Sequence, residues 1–133
     1  MIGRKKGSSS LTQLELELME VLWSMDGPST VQQVQEALSP RNQLAYTTVQ
    51  TVLNTLQKKG KVVRAEGEGR AFAYKPAISK ESILRQAVRD LADRMFGGSS
   101  EELVMSLIQS REVDADRIAE LSRKLVEEES SNG

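Results

Sequence analysis

The chain contains no cysteine and no histidine among its 133 residues. Without cysteine it has no disulfide framework, no thiolate metal site and no thiol nucleophile, and it shows no sign of an oxidising compartment. Without histidine it also lacks the commonest general base, and the two absences together remove the usual zinc ligands. We therefore expect neither a cofactor nor a metal site.

Long apolar runs are missing as well. No stretch approaches the roughly 20 consecutive apolar residues that span a bilayer, so we expect no membrane insertion. The first ten residues, MIGRKKGSSS, lack the apolar region of a signal peptide. These absences predict a cytoplasmic protein. With 38% hydrophobic residues, the chain can form one modest core plus an appendage. A fully independent second domain would have a thin core, so we expect the chain to oligomerise.

Acidic charge is scarce in one part of the chain, although the net charge is only −1. Residues 1–76 hold 10 Lys or Arg against 7 Asp or Glu, whereas residues 77–133 hold 8 against 12, so the halves carry +3 and −4. Within residues 41–76, seven basic side chains accompany only two acidic ones. Local positive charge of this kind is typical of a nucleic-acid-binding surface, and a merely soluble surface is the alternative.

A helix with a neutral polar face lies inside this basic region. Its apolar stripe recurs at i, i+3, i+4 and i+7, from Val49 to Leu56. The other face carries no Asp or Glu, so it would not repel phosphate. Short hydroxyl and amide side chains suit base edges, and basic ones suit phosphates. The predicted DNA-binding residues are Tyr46, Thr47, Thr48, Gln50, Thr51, Asn54, Thr55, Lys58, Lys59, Lys61 and Arg70.

A two-stranded β-hairpin is predicted directly after this helix. Gly60 supplies the helix C′ position, and an extended segment begins at Val62. A polar tip, EGEGR at 66–70, then leads to a second strand in which Phe72 and Tyr74 lie on one side. A phosphate cradle at the tip is the alternative, but its carboxylates and the lack of a following helix favour a tight turn.

Two further helices are predicted before the helix with the polar face and the β-hairpin. The first is predicted from a capping box, in which Thr12 is followed three residues later by Glu15. Met19 and Trp23 lie off its apolar stripe and are expected in the core or at its edge. The residues Asp-Gly-Pro at 26–28 break this helix, and a second helix follows.

Three short helices and a wing have the order of a winged helix-turn-helix, which we predict over residues 11–76. Residues 1–10 are predicted to be a disordered N-terminal arm. The fold class is therefore mainly α with a small β-wing.

Residues 77–133 are predicted to be a helical dimerisation region. Three amphipathic helices, at 80–96, 101–109 and 116–128, have apolar faces but no large core between them. These helices are best explained as half of an interface that a second copy of the chain completes, so we expect a homodimer. The predicted dimerisation residues are Leu84, Val88, Leu91, Met95, Leu103, Leu107, Ile118, Leu121 and Leu125.

Other functions are weighed against DNA binding. One is a winged helix that serves as a protein-interaction module without DNA binding. Another is an enzyme, with Glu66 and Glu68 as its best carboxylate pair, but solvation of a turn explains that pair better. The pair Asp114 and Asp116 is explained as charge at a helix N-terminus.

A copper site built from methionine thioethers is the remaining metal hypothesis. Met95 and Met105 could supply such ligands. Because no cysteine or histidine stands beside them, filling of gaps in the interface is the better interpretation.

Four segments of the sequence carry a resemblance to a known family: LTQLELELMEVLW at 11–23, AYTTVQTVLNTLQKKG at 45–60, AFAY at 71–74 and RMFGGS at 94–99. In this order they resemble the BlaI/MecI/CopY family of penicillinase and copper repressors, and the resemblance covers about residues 11–128. It implies a dimeric repressor that binds double-stranded DNA at a palindromic operator resembling TACA, a spacer and TGTA. The winged helix would bind the operator, and the C-terminal helices would pair the two copies.

The resemblance also implies how repression is lifted. In such families relief comes from cleavage of the repressor downstream of a membrane-bound β-lactam sensor protease, or from copper binding to C-terminal cysteines. This chain departs from the copper branch because it has no cysteine. The cut segment aligns with LVMSL at 103–107 and implies a bond between Ser106 and Leu107, where the family's Asn and Phe are replaced.

Overall fold

The computed structural model describes residues 10–66 and 72–132. The chain divides by its contacts into two compact units, Met1–Leu84 and Arg85–Gly133. The predicted domain limits, 11–76 and 77–133, stay a prediction, and so does the disordered arm, whose residues 1–9 lie outside the described part of the chain.

Within residues 10–66 and 72–84, which the structure describes, the first unit contains three complete helices and a small antiparallel sheet. The helices are α1 (Gln13–Ser24), α2 (Val31–Leu38) and α3 (Tyr46–Lys58). The strands are β1 (Ser29–Thr30), β2 (Val62–Glu66) and β3 (Phe72–Pro76), in the order β1-β3-β2. We call β2 and β3 the wing. The predicted fold class, mainly α with a small β-wing, is confirmed.

Reciprocal side-chain caps fix the starts of α1 and α2. The Thr12 hydroxyl accepts a hydrogen bond from the Glu15 N–H at 3.1 Å, and the Glu15 carboxylate accepts one from the Thr12 N–H at 2.9 Å. Thr30 and Gln33 form the same pair of bonds at the start of α2. Each cap satisfies backbone donors that no helical carbonyl can reach and stabilises its helix by about 1 kcal/mol. The predicted capping box is confirmed.

The core of this unit draws apolar side chains from all three helices and from the sheet. Its members are Leu18, Met19, Val21, Leu22, Val31, Val34, Leu38, Val49, Leu53, Leu56, Val62 and Tyr74. The apolar stripe of α3 therefore faces inward as predicted. Met19 lies in the core although it is off the stripe of α1. The reason is that α1 packs against α2, α3 and β3, so more than one side of it is covered.

Gly60 ends α3 as the sequence predicts. Its φ is +77°, a conformation that glycine adopts without steric penalty. The Gly60 N–H donates to the Gln57 carbonyl at 3.0 Å, and the Lys61 N–H donates to the Leu56 carbonyl at 2.9 Å. These two bonds form a Schellman motif, which turns the chain from α3 into β2.

In the part of the chain that the structure describes, the sheet has three strands, whereas the sequence predicts a two-stranded hairpin. The additional strand is β1, in which Ser29 pairs with Tyr74 of β3. A strand of two residues has no alternating pattern that a sequence could reveal. On the other side of β3, Arg64 of β2 lies opposite Tyr74. Residues 67–70 of the predicted tip lie outside the described residues.

The tail consists of α4 (Lys80–Met95), α5 (Ser100–Gln109) and α6 (Ala115–Asn132). The hydroxyl of Ser79 accepts from the Ser82 N–H at 3.0 Å and so caps α4. Gly97 and Gly98 have φ of +59° and +91°, so the turn that ends α4 depends on glycine. Across residues 10–66 and 72–132, every helix is too short or too polar to traverse a bilayer.

The boundary between the two units lies within α4 because its start is tied to α1. The Trp23 indole N–H donates to the Ile78 carbonyl at 3.0 Å. Lys80 lies 3.3 Å from the Glu20 carboxylate, and Ile78 packs against the core. These contacts extend the first unit beyond the sheet to Leu84.

Candidate DNA-binding surface

One side of α3 exposes polar side chains, and we call it the polar face. It consists of Tyr46, Thr47, Thr48, Gln50, Thr51, Asn54 and Lys58, all exposed. Helical spacing sets Thr47, Thr51 and Asn54 in one row that continues to Lys58, over about 16 Å at 1.5 Å per residue. The face has no Asp or Glu, so it presents hydrogen-bonding groups without a negative charge.

The N-terminus of α3 adds backbone donors to this surface. Ala45 occupies the N-cap position, and no side chain in the described part of the chain caps it. The first N–H groups of an α-helix have no helical acceptor, and the helix dipole is positive at this end. An uncapped helix start is therefore suited to an anion such as a phosphate.

Thr55 and Lys59 are turned to partners within the protein. Thr55 is half-buried as a residue, and its hydroxyl donates to the Thr51 carbonyl at 3.1 Å. The Lys59 ammonium donates to the Glu15 carboxylate at 2.7 Å and to the Ser10 carbonyl at 3.0 Å. The structure therefore separates these two side chains from the polar face.

Glu15 holds Lys59 strongly because its carboxylate stays charged inside the protein. Only 5% of Glu15 is exposed. Burial raises the pKa of this carboxyl group, but the hydrogen bonds from Lys59 and Thr12 outweigh burial and hold the pKa below its ordinary value. The ion pair ties the start of α1 to the end of α3. Because Lys59 is paired with the Glu15 carboxylate, its charge is already neutralised.

The other predicted basic residues that the structure describes lie at the C-terminal end of α3 and in the turn after it. Lys58 is exposed on the last turn of α3, and Lys61 is half-buried in the turn that follows. Arg70 lies outside the described residues. Lys58 is therefore the predicted phosphate-binding side chain that is most open to solvent in the described structure.

A groove of about 340 Å³ separates α3 from the wing. Its lining residues are Thr30, Val31, Gln32, Tyr46, Gln50, Asn54, Arg64, Phe72 and Tyr74. Arg64, Phe72 and Tyr74 are absent from the predicted DNA-binding set. The Arg64 guanidinium carbon lies 4.3 Å from the centre of the exposed Phe72 ring, a cation–π geometry that holds the charge at the edge of the groove.

The two-residue alternation of side chains along β2 could have identified Arg64 as part of this surface from the sequence. The side chains of Val62 and Arg64 point to the same face of β2 because successive residues alternate. Val62 is buried, so this face looks toward α3. The register of the wing also sets Arg64 opposite Tyr74.

The family model of the penicillinase repressors matches residues 11–127 of this chain. The chain belongs to this family. The resemblance seen in the sequence is thus confirmed. Penicillinase repressors are transcriptional repressors and not enzymes.

Individual relatives agree with this assignment. The chain is 39% identical to the transcriptional regulator BlaI of Mycobacterium tuberculosis over 124 residues, which cover 92% of this chain and 88% of that protein. It is 28% identical to the penicillinase repressor of Bacillus licheniformis over 117 residues, covering 88% and 90% of the two chains.

A solved structure is also similar. It is the solution structure of the monomeric form of Bacillus licheniformis BlaI in complex with the blaP half-operator, with 33% identity and a TM-score of 0.46. The match covers 54% of this repressor and 85% of that chain.

The predicted dimerisation residues of this repressor differ in exposure. Leu84, Met95 and Leu125 are 61%, 68% and 60% exposed, and Leu107 and Leu121 are exposed to a lesser degree. Val88, Leu91 and Ile118 are half-buried. Leu103 is buried within the single chain, so it is the least available of the set to a partner.

The implied cleavage bond of this repressor lies inside α5. Ser106 is half-buried and Leu107 is exposed, and both lie within the helical range Ser100–Gln109. The backbone at this bond is therefore helical, and a protease could reach it only after local opening of α5.

Proposed function

We propose that this repressor binds a palindromic operator as a dimer, with α3 of each copy in the major groove of one half-site. The observation that carries the proposal is the polar face, a row of hydroxyl and amide groups that ends in the cation Lys58 and is free of carboxylates. The major groove admits an α-helix, and such side chains form hydrogen bonds or methyl contacts with base edges there.

Positive groups around the polar face support the same orientation. The uncapped start of α3 lies at one end, and Lys58 lies at the other. Arg64 lies across the groove on the wing. Because phosphates flank the major groove on both sides, these groups would hold α3 in register without reading the sequence.

The dimer is proposed from the apolar side chains that the tail exposes. They are Leu84, Met95, Val104, Met105, Leu107, Leu121, Leu125 and Val126. On α6, Ile118, Leu121 and Leu125 follow the i, i+3, i+7 spacing of a helix-pairing seam. Burial of one Leu or Met side chain contributes about 1.5–3 kcal/mol, so a second copy would gain considerably by covering them.

Relief of repression is proposed to follow cleavage at Ser106–Leu107 by a membrane-bound sensor protease. Once one half-site is occupied, the linked second copy meets its half-site at a high effective concentration. Cleavage in α5 detaches α6 with its apolar seam and breaks the stripe that includes Leu107. The two copies would then separate, and the affinity gained from their linkage would be lost.

Selection of bound sequences from a random DNA library tests the operator proposal. The intact protein should enrich a pseudo-palindrome whose half-site centres lie about 10 base pairs apart, or a multiple of that distance. Asn54→Ala is the control that should weaken this enrichment. Failure of the intact protein to enrich any DNA sequence would contradict operator binding and favour a protein-interaction module.

A further inference from the structure

A hydrogen bond joins the wing to the polar face across the groove. The Tyr74 hydroxyl of β3 donates to Oδ1 of Asn54 on α3 at 3.3 Å. Tyr74 is only 2% exposed, whereas Asn54 is exposed. Among the residues that the structure describes, this is the one side-chain hydrogen bond between the wing and the polar face.

Two effects keep the amide oxygen of Asn54 turned toward the wing. A buried phenol is destabilising unless its hydroxyl has a hydrogen-bond partner, and the amide oxygen can accept its proton. Arg64 lines the same groove, so its positive charge favours the oxygen over the amide N–H₂ group on that side. The N–H₂ group is then directed away from the wing.

This orientation limits what Asn54 can recognise. The two-bond contact with adenine needs one carboxamide to donate to N7 and accept from the N6 amino group. With its oxygen held in the groove, Asn54 has only the hydrogen-bond donors of its N–H₂ group to offer to a base. Guanine offers two acceptors, N7 and O6, on its major-groove edge and is therefore the better partner.

We propose that Tyr74 is a positioning residue that sets the base preference of Asn54, making it a donor that favours guanine over adenine. The inference rests on the proposed reading of DNA by α3. It assigns to a buried wing residue a role in specificity that direct contact with DNA would not reveal.

The test compares four proteins, the intact chain, Tyr74→Phe, Asn54→Ala and the double variant, on the selected operator. Each base pair of one half-site is replaced in turn by the other three, and dissociation constants are measured. The position at which Asn54→Ala loses discrimination is the pair that Asn54 reads. There the intact protein should prefer guanine over adenine by about tenfold.

In Tyr74→Phe this preference should fall to about threefold or less, because the amide is free to rotate and to pair with adenine. Binding to random DNA should change by less than about twofold, since phosphate contacts are untouched. The double variant should have the same base profile as Asn54→Ala, because the hydroxyl acts through Asn54 alone.

Trp23→Phe is the matched control, since it removes another hydrogen bond of an aromatic side chain in the same unit, the one to Ile78. It should lower thermal stability and leave the base profile unchanged. If Tyr74→Phe likewise lowers thermal stability and leaves the base preference unchanged, the hydroxyl is only structural and the inference is overturned. If Asn54→Ala itself alters no base preference, the proposed reading by α3 fails instead.

Discussion

At the scale of residues, two adjacent lysines at the end of α3 should have different roles. Lys58 is exposed, whereas Lys59 is paired with the buried Glu15. We expect Lys58→Ala to weaken binding to all DNA alike and to reduce the salt slope by about one unit. We expect Lys59→Ala to lower the free energy of unfolding by roughly 1–3 kcal/mol, because it leaves Glu15 buried without its partner.

Each lysine variant is the control for the other. Thermal unfolding reports stability, and fluorescence anisotropy with labelled DNA at several salt concentrations reports phosphate contacts. The stability of Lys58→Ala should stay within about 0.5 kcal/mol of the intact protein, as is usual for surface changes. Equal loss of salt dependence in both variants would show that Lys59 also reaches DNA.

The Glu15 carboxylate should also make stability depend on pH. Because its pKa in the folded protein is lowered from 4.5, the unfolded chain binds more protons as the pH falls through this range. The stabilisation is thus fully present above the unfolded pKa and is lost as the pH falls through the folded pKa. We expect Glu15→Gln to destabilise the protein at pH 7 and to do so less at pH 3.

Urea unfolding at the two pH values measures this difference. A gap between the intact protein and Glu15→Gln that stays constant with pH would mean that the ionised carboxylate of Glu15 contributes no stability.

The residues that were predictable are those fixed by local spacing. Because the apolar stripe of α3 is buried, the opposite residues had to be exposed, and the structure confirms this arrangement. The pairing of Lys59 could not be predicted, since its partner lies 44 residues away along the chain. The bond from Tyr74 to Asn54 likewise depends on how the wing packs against α3.

At the scale of elements, the end of α3 depends on one glycine. A Cβ at Gly60 would meet nothing within 4 Å, so substitution there introduces backbone strain without a clash. We expect Gly60→Ala to lower the free energy of unfolding by roughly 1–2 kcal/mol, and Gly60→Asn to lower it less because Asn tolerates the left-handed region better.

Gly27→Ala is the matched control for this substitution. Gly27 also has open space around its Cα, but its φ is not positive. Chemical unfolding should therefore show no loss of stability, or a slight gain from the reduced entropy of the unfolded chain. Equal losses at both positions would mean that the conformation of Gly60 is not the cause.

Elements with strong periodicity were predictable, and short ones were not. The capping box, the stripe of α3 and its terminal glycine each leave a local pattern, and the corresponding elements are confirmed. In contrast, β1 has two residues and forms only because β3 lies beside it. The apolar stripes predict the tail helices, but α6 begins one residue before the predicted start and continues to Asn132, beyond the predicted end at 128.

At the scale of the whole molecule, the oligomeric state should depend on the tail. We expect the intact protein to sediment as a dimer at micromolar concentration and a chain ending at Leu84 to sediment as a monomer. The shorter chain retains the contacts of the first unit, including the bond from Trp23 to Ile78. An intact protein that sediments as a monomer would contradict the proposed interface.

Cleavage should separate binding to a half-site from binding to the full operator. A chain truncated after Ser106 should bind one half-site nearly as well as the intact protein and the full operator far more weakly. A chain ending at Gln109 keeps α5 and is the control for the loss of α6 alone. Equal affinity of the Ser106 truncation and the intact protein for the full operator would exclude tail cleavage as the switch.

Apart from Lys58 the polar face is neutral, and this has a consequence for how the repressor behaves in a cell whose ionic strength varies. Salt weakens the attraction of cations to DNA, but it has little effect on hydrogen bonds between neutral groups and base edges. Contacts from the polar face, apart from Lys58, should therefore persist when phosphate contacts weaken. Binding to unrelated DNA depends on the phosphate contacts and should therefore fall first as salt rises, so the repressor should remain selective for its operator during osmotic change.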